Sequence, residues 1–300
     1  MSTVAVVGPG AIGLTCAVAA HEAGHEVVLC GRRPLGGTPT IEYFDGRLLT
    51  ADLPSHTDPA ELSGPVDLVL LAVKAHQIAA SAGWLEALCG PQTVVAALQN
   101  GVEHHELVEP LAGNASVLPV AVWFPAETIG PGRVFVAGSI RMVTESGDTG
   151  ERLRDLIGGA LATIELADDL PALLWRKLLP TAVVGLTVLS GIRGTMFSRP
   201  EMAELGAAYA RECAAVGRAH GVDIPDAVVE SVVELVIAHG GEKTSMLVDR
   251  EAGRELEWDV RNGVIRRLGV HYGIPTPISD VVVPLLAAAS DGDREITPAA

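Results

Sequence analysis

Apolar runs and helical repeats alternate along the first half of the chain. "TVAVV" (3–7) is a short apolar run that ends at a glycine turn, as a strand entering a tight turn does. Residues 11–23 carry apolar positions at helical spacing, and Gly24 follows as the C′ residue of a helix stop. "HEVVLC" (25–30) predicts a second strand, and residues 41–53 predict a short hairpin inserted at a sheet edge. "VDLVLLAV" (66–73) is apolar almost throughout, the pattern of a strand covered on both faces. A helix near 76–88, a strand "TVVAAL" (93–98), a helix near 103–112 and a strand "SVLPVAVW" (116–123) follow. Two or three further short strands fill 126–145. This alternation predicts an α/β domain of the Rossmann type, a doubly wound and mainly parallel sheet.

After Asp169 the strand pattern stops. Helices are predicted near 170–190, 199–220, 225–239, 255–272 and 278–289. Pro200, Pro225 and Pro277 fall at helix starts, and Gly221 and Gly273 at helix ends. The expected organisation is an α/β domain, 1–167, followed by an all-α domain, 168–300.

One helical stretch is anomalous. "LLWRKLLPTAVVGLTVLSG" (173–191) reads as buried, yet it carries Lys177 and, three residues later, Pro180. A buried ammonium is costly unless something pairs with it, and an interior proline breaks the backbone ladder. Interrupted by Arg176, Lys177 and Pro180, the run reads as too short to span a bilayer.

Composition narrows the function classes. A chain of 300 residues, 48% hydrophobic, is long enough to bury a sizeable core, most often as two domains, and is not disordered. Its net charge of −16 argues against nucleic acid or an anionic membrane as a partner. The opening "MSTVAVVGPG" runs straight into a strand without the basic segment of a secretory signal. Cys16, Cys30, Cys89 and Cys213 lie far apart and read as core residues in a reducing cytoplasm. "HEAGH" (21–25) fits a zinc-protease pattern, but Gly24 ends the helix between the two histidines, so no metal site is expected.

The candidate chemistry begins at "GPGAIG" (8–13), a G-x-G-x-x-G between strand and helix. Gly8 permits the tight turn, Gly10 lets a pyrophosphate approach the backbone, and Gly13 lets helix and strand pack closely. The helix start at Ala11 and Ile12 adds N–H donors and a positive dipole end. The second strand ends in "CGRRP", with no acid for ribose hydroxyls; Arg32 there predicts a 2′-phosphate, hence NADP(H). Lys74 directly follows strand 66–73, and Asn100, in "QNG", follows strand 93–98. Ligands of open α/β sheets bind outside such strand ends.

A partner for Lys177 is sought in "TSMLVDREAGRELEWDVRNGVIRRLG" (244–269). A helix beginning near Glu255 would place Glu257 in its first turn, where a carboxylate gains from the dipole. Ser245 lies 12 residues earlier, about 18 Å away on one unbroken helix. Gly253 between them suggests instead that the chain doubles back.

Taken in order and spacing, "GPGAIG", "KAHQ", "QNG", "WRKL", "TSML" and "LEWDVRNG" resemble the ketopantoate reductase (2-dehydropantoate 2-reductase) family over the whole chain. The resemblance implies an N-terminal Rossmann domain that binds NADPH and a helical domain like that of 6-phosphogluconate dehydrogenases. It implies that Lys177 is the catalytic lysine, Glu257 the essential glutamate within reach of the cofactor, and Ser245 a substrate-contacting serine. Lys74 and Asn100 match residues near the nicotinamide, with Asn100 also positioning substrate, and Arg32 matches the arginine for the 2′-phosphate. The implied reaction reduces a 2-oxo acid, 2-dehydropantoate, to pantoate in pantothenate biosynthesis. Lys177, at a cleft between the domains, would supply the proton and steady the alkoxide, while Glu257 offsets its desolvation.

The chain departs from the family at the fourth and eighth positions after the lysine, where asparagines give way to Thr181 and Gly185. Thr181 is the substrate-binding candidate at the first; the second predicts a roomier, less polar pocket. This keeps open a different 2-oxo or 3-oxo substrate for the same enzyme class, and a non-catalytic NADP-binding sensor. The expected localisation is cytoplasmic, and the helical domain offers a face for a homodimer.

Overall fold

The computed structural model describes residues 1–159 and 161–292; the stretch 293–300 of the expected helical domain lies outside them. The chain divides into two compact units, Met1–Leu170 and Pro171–Ala300.

Among its described residues the first unit holds twelve strands: β1 (Thr3–Val7), β2 (Glu26–Cys30), β3 (Thr40–Tyr43), β4 (Leu48–Thr50), β5 (Ser55–His56), β6 (Leu68–Leu71), β7 (Val94–Ala97), β8 (Ser116–Val122), β9 (Ala126–Gly130), β10 (Arg133–Val136), β11 (Ile140–Glu145) and β12 (Ala162–Ala167). The main sheet runs β12-β11-β8-β7-β6-β1-β2-β5 and is parallel except where β11 meets β8. Val4, Val6, Leu68, Leu70, Val94 and Ala96 enter one apolar core, while Ala5, Val7, Val69, Leu71, Val95 and Ala97 enter the other. Successive side chains face opposite sides of a strand, so a sheet covered on both faces needs unbroken apolar runs.

The helix Ala11–Glu22 is buried along Gly13–Ala20, with no polar face. It packs on the main sheet and also under a second sheet, β4-β3-β10-β9, so both sides are covered. The expected hairpin exists as β3 and β4, but it is no edge insertion of the main sheet. β3 pairs in parallel with β10, because Ile41, Tyr43, Val134 and Val136 form an apolar face that needs the helix as its cover.

Gly24 takes φ +88, its N–H donates to His21 O at 2.9 Å, and the His25 N–H donates to Ala20 O at 3.2 Å. This helix stop leaves His21 and His25 off any common helical face. In place of a helix over 76–88 there are two tight turns, Ala75–Gln77 and Ala79–Ser81, before the helix Ala82–Leu88. The Ser81 hydroxyl donates to Ile78 O at 2.6 Å, a local bond that competes with continuous helix. The helix Asp148–Ile157 and the strand β12 had no counterpart in the expected pattern.

The second unit contains the helices Leu170–Val183, Gly185–Ser190, Pro200–Ala219, Asp226–Ala238, Ser245–Glu251, Val264–Tyr272 and Pro277–Asp291, with a π-turn at Asp259–Gly263. The run 170–190 is thus two helices. By length and composition Leu170–Ser190 would suffice to cross a membrane, which corrects the expectation that it is too short. However, 61% of its most apolar window is buried inside the protein, as in a core helix.

A short helix, Ser245–Glu251, precedes the π-turn and was not expected. Gly253, at φ +62, ends it; the Gly253 N–H donates to Arg250 O and the Arg254 N–H to Asp249 O. Helix resumes only at Trp258, so Glu257 lies just ahead of the first turn, not inside it.

Candidate active site

In the first unit the loops after β1 and β6 meet. The order β2-β1-β6-β7 reverses direction at β1, the switch point where doubly wound sheets hold ligands at their carboxyl edge. Gly8 has φ +93, and a Cβ there would lie 2.7 Å from Val73 Cγ1. A Cβ on Gly13 would lie 2.2 Å from Gly8 O. These two glycines serve packing. Gly10 differs: it is exposed, and a Cβ there would meet nothing within 4 Å. Beside that open space begins the helix Ala11–Glu22, whose first N–H groups, Ala11 and Ile12 among them, have no intrahelical acceptor. An open cradle with backbone donors and a positive dipole end fits the pyrophosphate of a dinucleotide.

Arg32 and Arg33 are exposed beyond β2, while Lys74 and Asn100 are half-buried beyond β6 and β7. Gln99 escaped notice in the sequence. Its Nε2 donates to Leu71 O at 2.8 Å and to Val73 O at 3.1 Å, tying the end of β7 to the loop after β6. An amide directly at the end of the strand 93–98, beside Asn100 in "QNG", was the available signal.

In the second unit charge is concentrated around Lys177, on the helix Leu170–Val183. The side chain is half-buried and its ammonium is crowded by protein. Desolvation, then the Arg261 guanidinium, bring its pKa down to about 8, and Glu257 pulls the other way. Glu257 and Arg261 are both buried, with Arg261 Nη2 donating to Glu257 Oε2 at 3.2 Å. The same nitrogen donates to Ser245 Oγ at 3.0 Å. Ser245 and Glu257 therefore share one guanidinium across the break at Gly253. Arg261 was not singled out in the sequence, where a Glu and an Arg four apart look like a solvated helix pair.

The two departures take a different form from the one expected. Thr181 donates its hydroxyl proton to Leu178 O at 2.8 Å, so it can offer a substrate only lone pairs. Gly185 is buried, and a Cβ there would lie 2.8 Å from Asn262 Nδ2. Asn262 is fully buried and donates to Ala182 O and Tyr209 Oη, each at 2.9 Å. Position 185 therefore adds no room, because an asparagine from another helix fills it.

The cysteines take no part. Cys16 and Cys30 are buried, and burial pushes both thiols up to about 12.

A glycine cradle for a dinucleotide and a crowded lysine beside a buried carboxylate define a dinucleotide-dependent oxidoreductase. Comparison with known proteins specifies the family. Residues 4–148 match the model described as "Ketopantoate reductase PanE/ApbA", and residues 169–290 match "Ketopantoate reductase PanE/ApbA C terminal". The 2-dehydropantoate 2-reductase of Mycobacterium tuberculosis (strain H37Rv) is 47% identical over 290 residues, covering 96% of this chain and 98% of that protein. The 2-dehydropantoate 2-reductase of Caulobacter vibrioides is 36% identical, covering 97% and 100%. Among solved structures, a PanE/ApbA family ketopantoate reductase from Ralstonia eutropha JMP134 superposes with a TM-score of 0.87 at 28% identity, covering 96% and 98%. The chain belongs to the ketopantoate reductase family.

Proposed function

We propose that this protein reduces 2-dehydropantoate to pantoate with NADPH. The observation that carries the reading is the Lys177 ammonium, crowded by protein beside the buried Arg261–Glu257 pair, in a chain 47% identical to a 2-dehydropantoate 2-reductase. Burial first and Arg261 second bring its pKa to about 8, against the pull of Glu257. A donor with its pKa near the working pH is still charged and gives up its proton readily. NADPH, when bound, supplies the hydride. Lys177 donates its proton to the carbonyl oxygen as the carbon–oxygen double bond becomes an alcohol, and it is reprotonated from solvent. Before transfer, the ammonium stabilises the charge that develops on that oxygen.

Glu257 keeps the ammonium charged by opposing its desolvation. Gly10 and the amides of Ala11 and Ile12 hold the pyrophosphate in the turn that Gly8 and Gly13 shape by close packing; Lys74 and Asn100 line the nicotinamide end. Arg32, with no acid at the end of β2, selects the 2′-phosphate. Ser245 contacts the substrate. Thr181, its proton engaged on its own helix, acts at most as an acceptor.

Neither a different carbonyl substrate nor a sensor role is favoured: the lysine, serine and glutamate are all present, and the space at Gly185 is filled. Four free cysteines fit a cytoplasmic enzyme, and a homodimer is the proposed assembly, on the likeness to a dimeric ketopantoate reductase from Staphylococcus aureus. The test is NADPH absorbance with purified protein and 2-dehydropantoate. Oxidation dependent on this 2-oxo acid is expected, and none at millimolar substrate would defeat the reading.

A further inference from the structure

Arg261 is placed unlike any other arginine of the described residues. Only 5% of its side chain is exposed, and it is held at the π-turn Asp259–Gly263. Nη2 is committed to Ser245 Oγ and Glu257 Oε2, but the buried Nε–H has no partner among the described residues. A buried charged donor left without an acceptor is costly, so such a group is normally kept for something. Ser245 adds a second donor. Its Oγ already accepts from Arg261, so its own proton points elsewhere, and the residue is exposed at the start of the helix Ser245–Glu251. With both Nη2 protons taken, Nε–H is the donor that its edge of the guanidinium still has to give a carboxylate oxygen. The charged groups that act on the Lys177 ammonium are a second cation, Arg261, and one carboxylate, Glu257. A cluster with this balance favours an anion.

We infer that Arg261, with Ser245, receives the substrate's carboxylate and so makes the enzyme select 2-oxo acids over neutral ketones. One carboxylate oxygen takes the Nε–H, the other the Ser245 hydroxyl, and Glu257 stays on Nη2. In a 2-oxo acid the ketone is one bond from the carboxylate, so anchoring the acid presents the ketone to the cluster that contains Lys177. The inference rests on the reductase reading and adds to it the group that recognises the acid.

The experiment titrates pantoate and its neutral primary amide into the NADP-saturated protein by calorimetry, for wild type, Arg261→Gln and Arg261→Lys. Loss of a buried charge-assisted pair should cost Arg261→Gln about 10²-fold in pantoate affinity, with the amide changed less than about twofold. Arg261→Gln leaves Glu257 without its partner and can fail to fold. Arg261→Lys keeps the charge and loses the fork, and should cost about tenfold for pantoate alone. Unchanged pantoate binding in the folded variants overturns the inference. So does an equal loss for both ligands, which would mean that Arg261 acts only by holding Glu257, and so does a wild type that binds neither. If the wild type fails to oxidise NADPH with 2-dehydropantoate while Arg261→Lys still loses pantoate selectively, the reductase reading falls and this assignment stands.

Discussion

The carboxamide of Asn262 occupies the space into which a side chain at Gly185 would project, 2.8 Å from the position of its Cβ. The amide is tied to Ala182 O and Tyr209 Oη, so it cannot swing away without losing both bonds. Gly185→Asn, which restores the residue type of the family, should therefore overpack the core and destabilise by about 1–3 kcal/mol. Urea denaturation checks this. Unaltered stability with a lower KM would show that the position faces substrate instead.

The glycines of the first turn should separate binding from folding. Gly10→Ala adds a methyl to open space, so the melting temperature should hold while dinucleotide affinity drops about tenfold or more. Gly13→Ala drives a methyl against Gly8 O and should lower the melting temperature by several degrees. Thermal melts beside cofactor titrations distinguish the two. Equal behaviour of the variants refutes the division of roles.

Lys177→Ala should lower kcat about 10²-fold or more while NADPH affinity is retained, the usual weight of a general acid. Undiminished turnover would remove Lys177 from the chemistry.

The ammonium is the active form, so kcat/KM should fall as pH rises through about 8, the Lys177 pKa. Glu257 raises that pKa, so Glu257→Gln should move the descending limb to lower pH. A limb left in place in this variant would mean that some other group titrates.

Arg32→Ala should weaken NADPH by tenfold or more and NADH hardly at all, since only the former carries the 2′-phosphate. Equal weakening of both cofactors, measured by fluorescence titration, would assign the phosphate to another side chain.

Much of this could be read along the chain. The run 66–73 announces a doubly covered strand and 93–98 another strand, and Gly8, Gly10 and Gly13 announce a dinucleotide turn, because strand period and turn chemistry are local. The second sheet could not be read that way, since the pairing of β3 with β10 joins segments far apart in sequence. Arg261 was hidden for a related reason. Only burial turns a Glu and an Arg four residues apart from a surface pair into half of a site.

The sequence alone determined the alternation of strands and helices in the first half, the glycine cradle, the basic end of β2 and the lone lysine on an apolar helix. Each of these is written in residues that are close neighbours along the chain. Tertiary structure decided that Ser245 and Glu257 meet on Arg261, that Thr181 spends its proton on its own helix, and that Gly185 is filled by Asn262. Burial and cross-helix contact set those outcomes, and neither has a period or a spacing that a one-dimensional pattern can display.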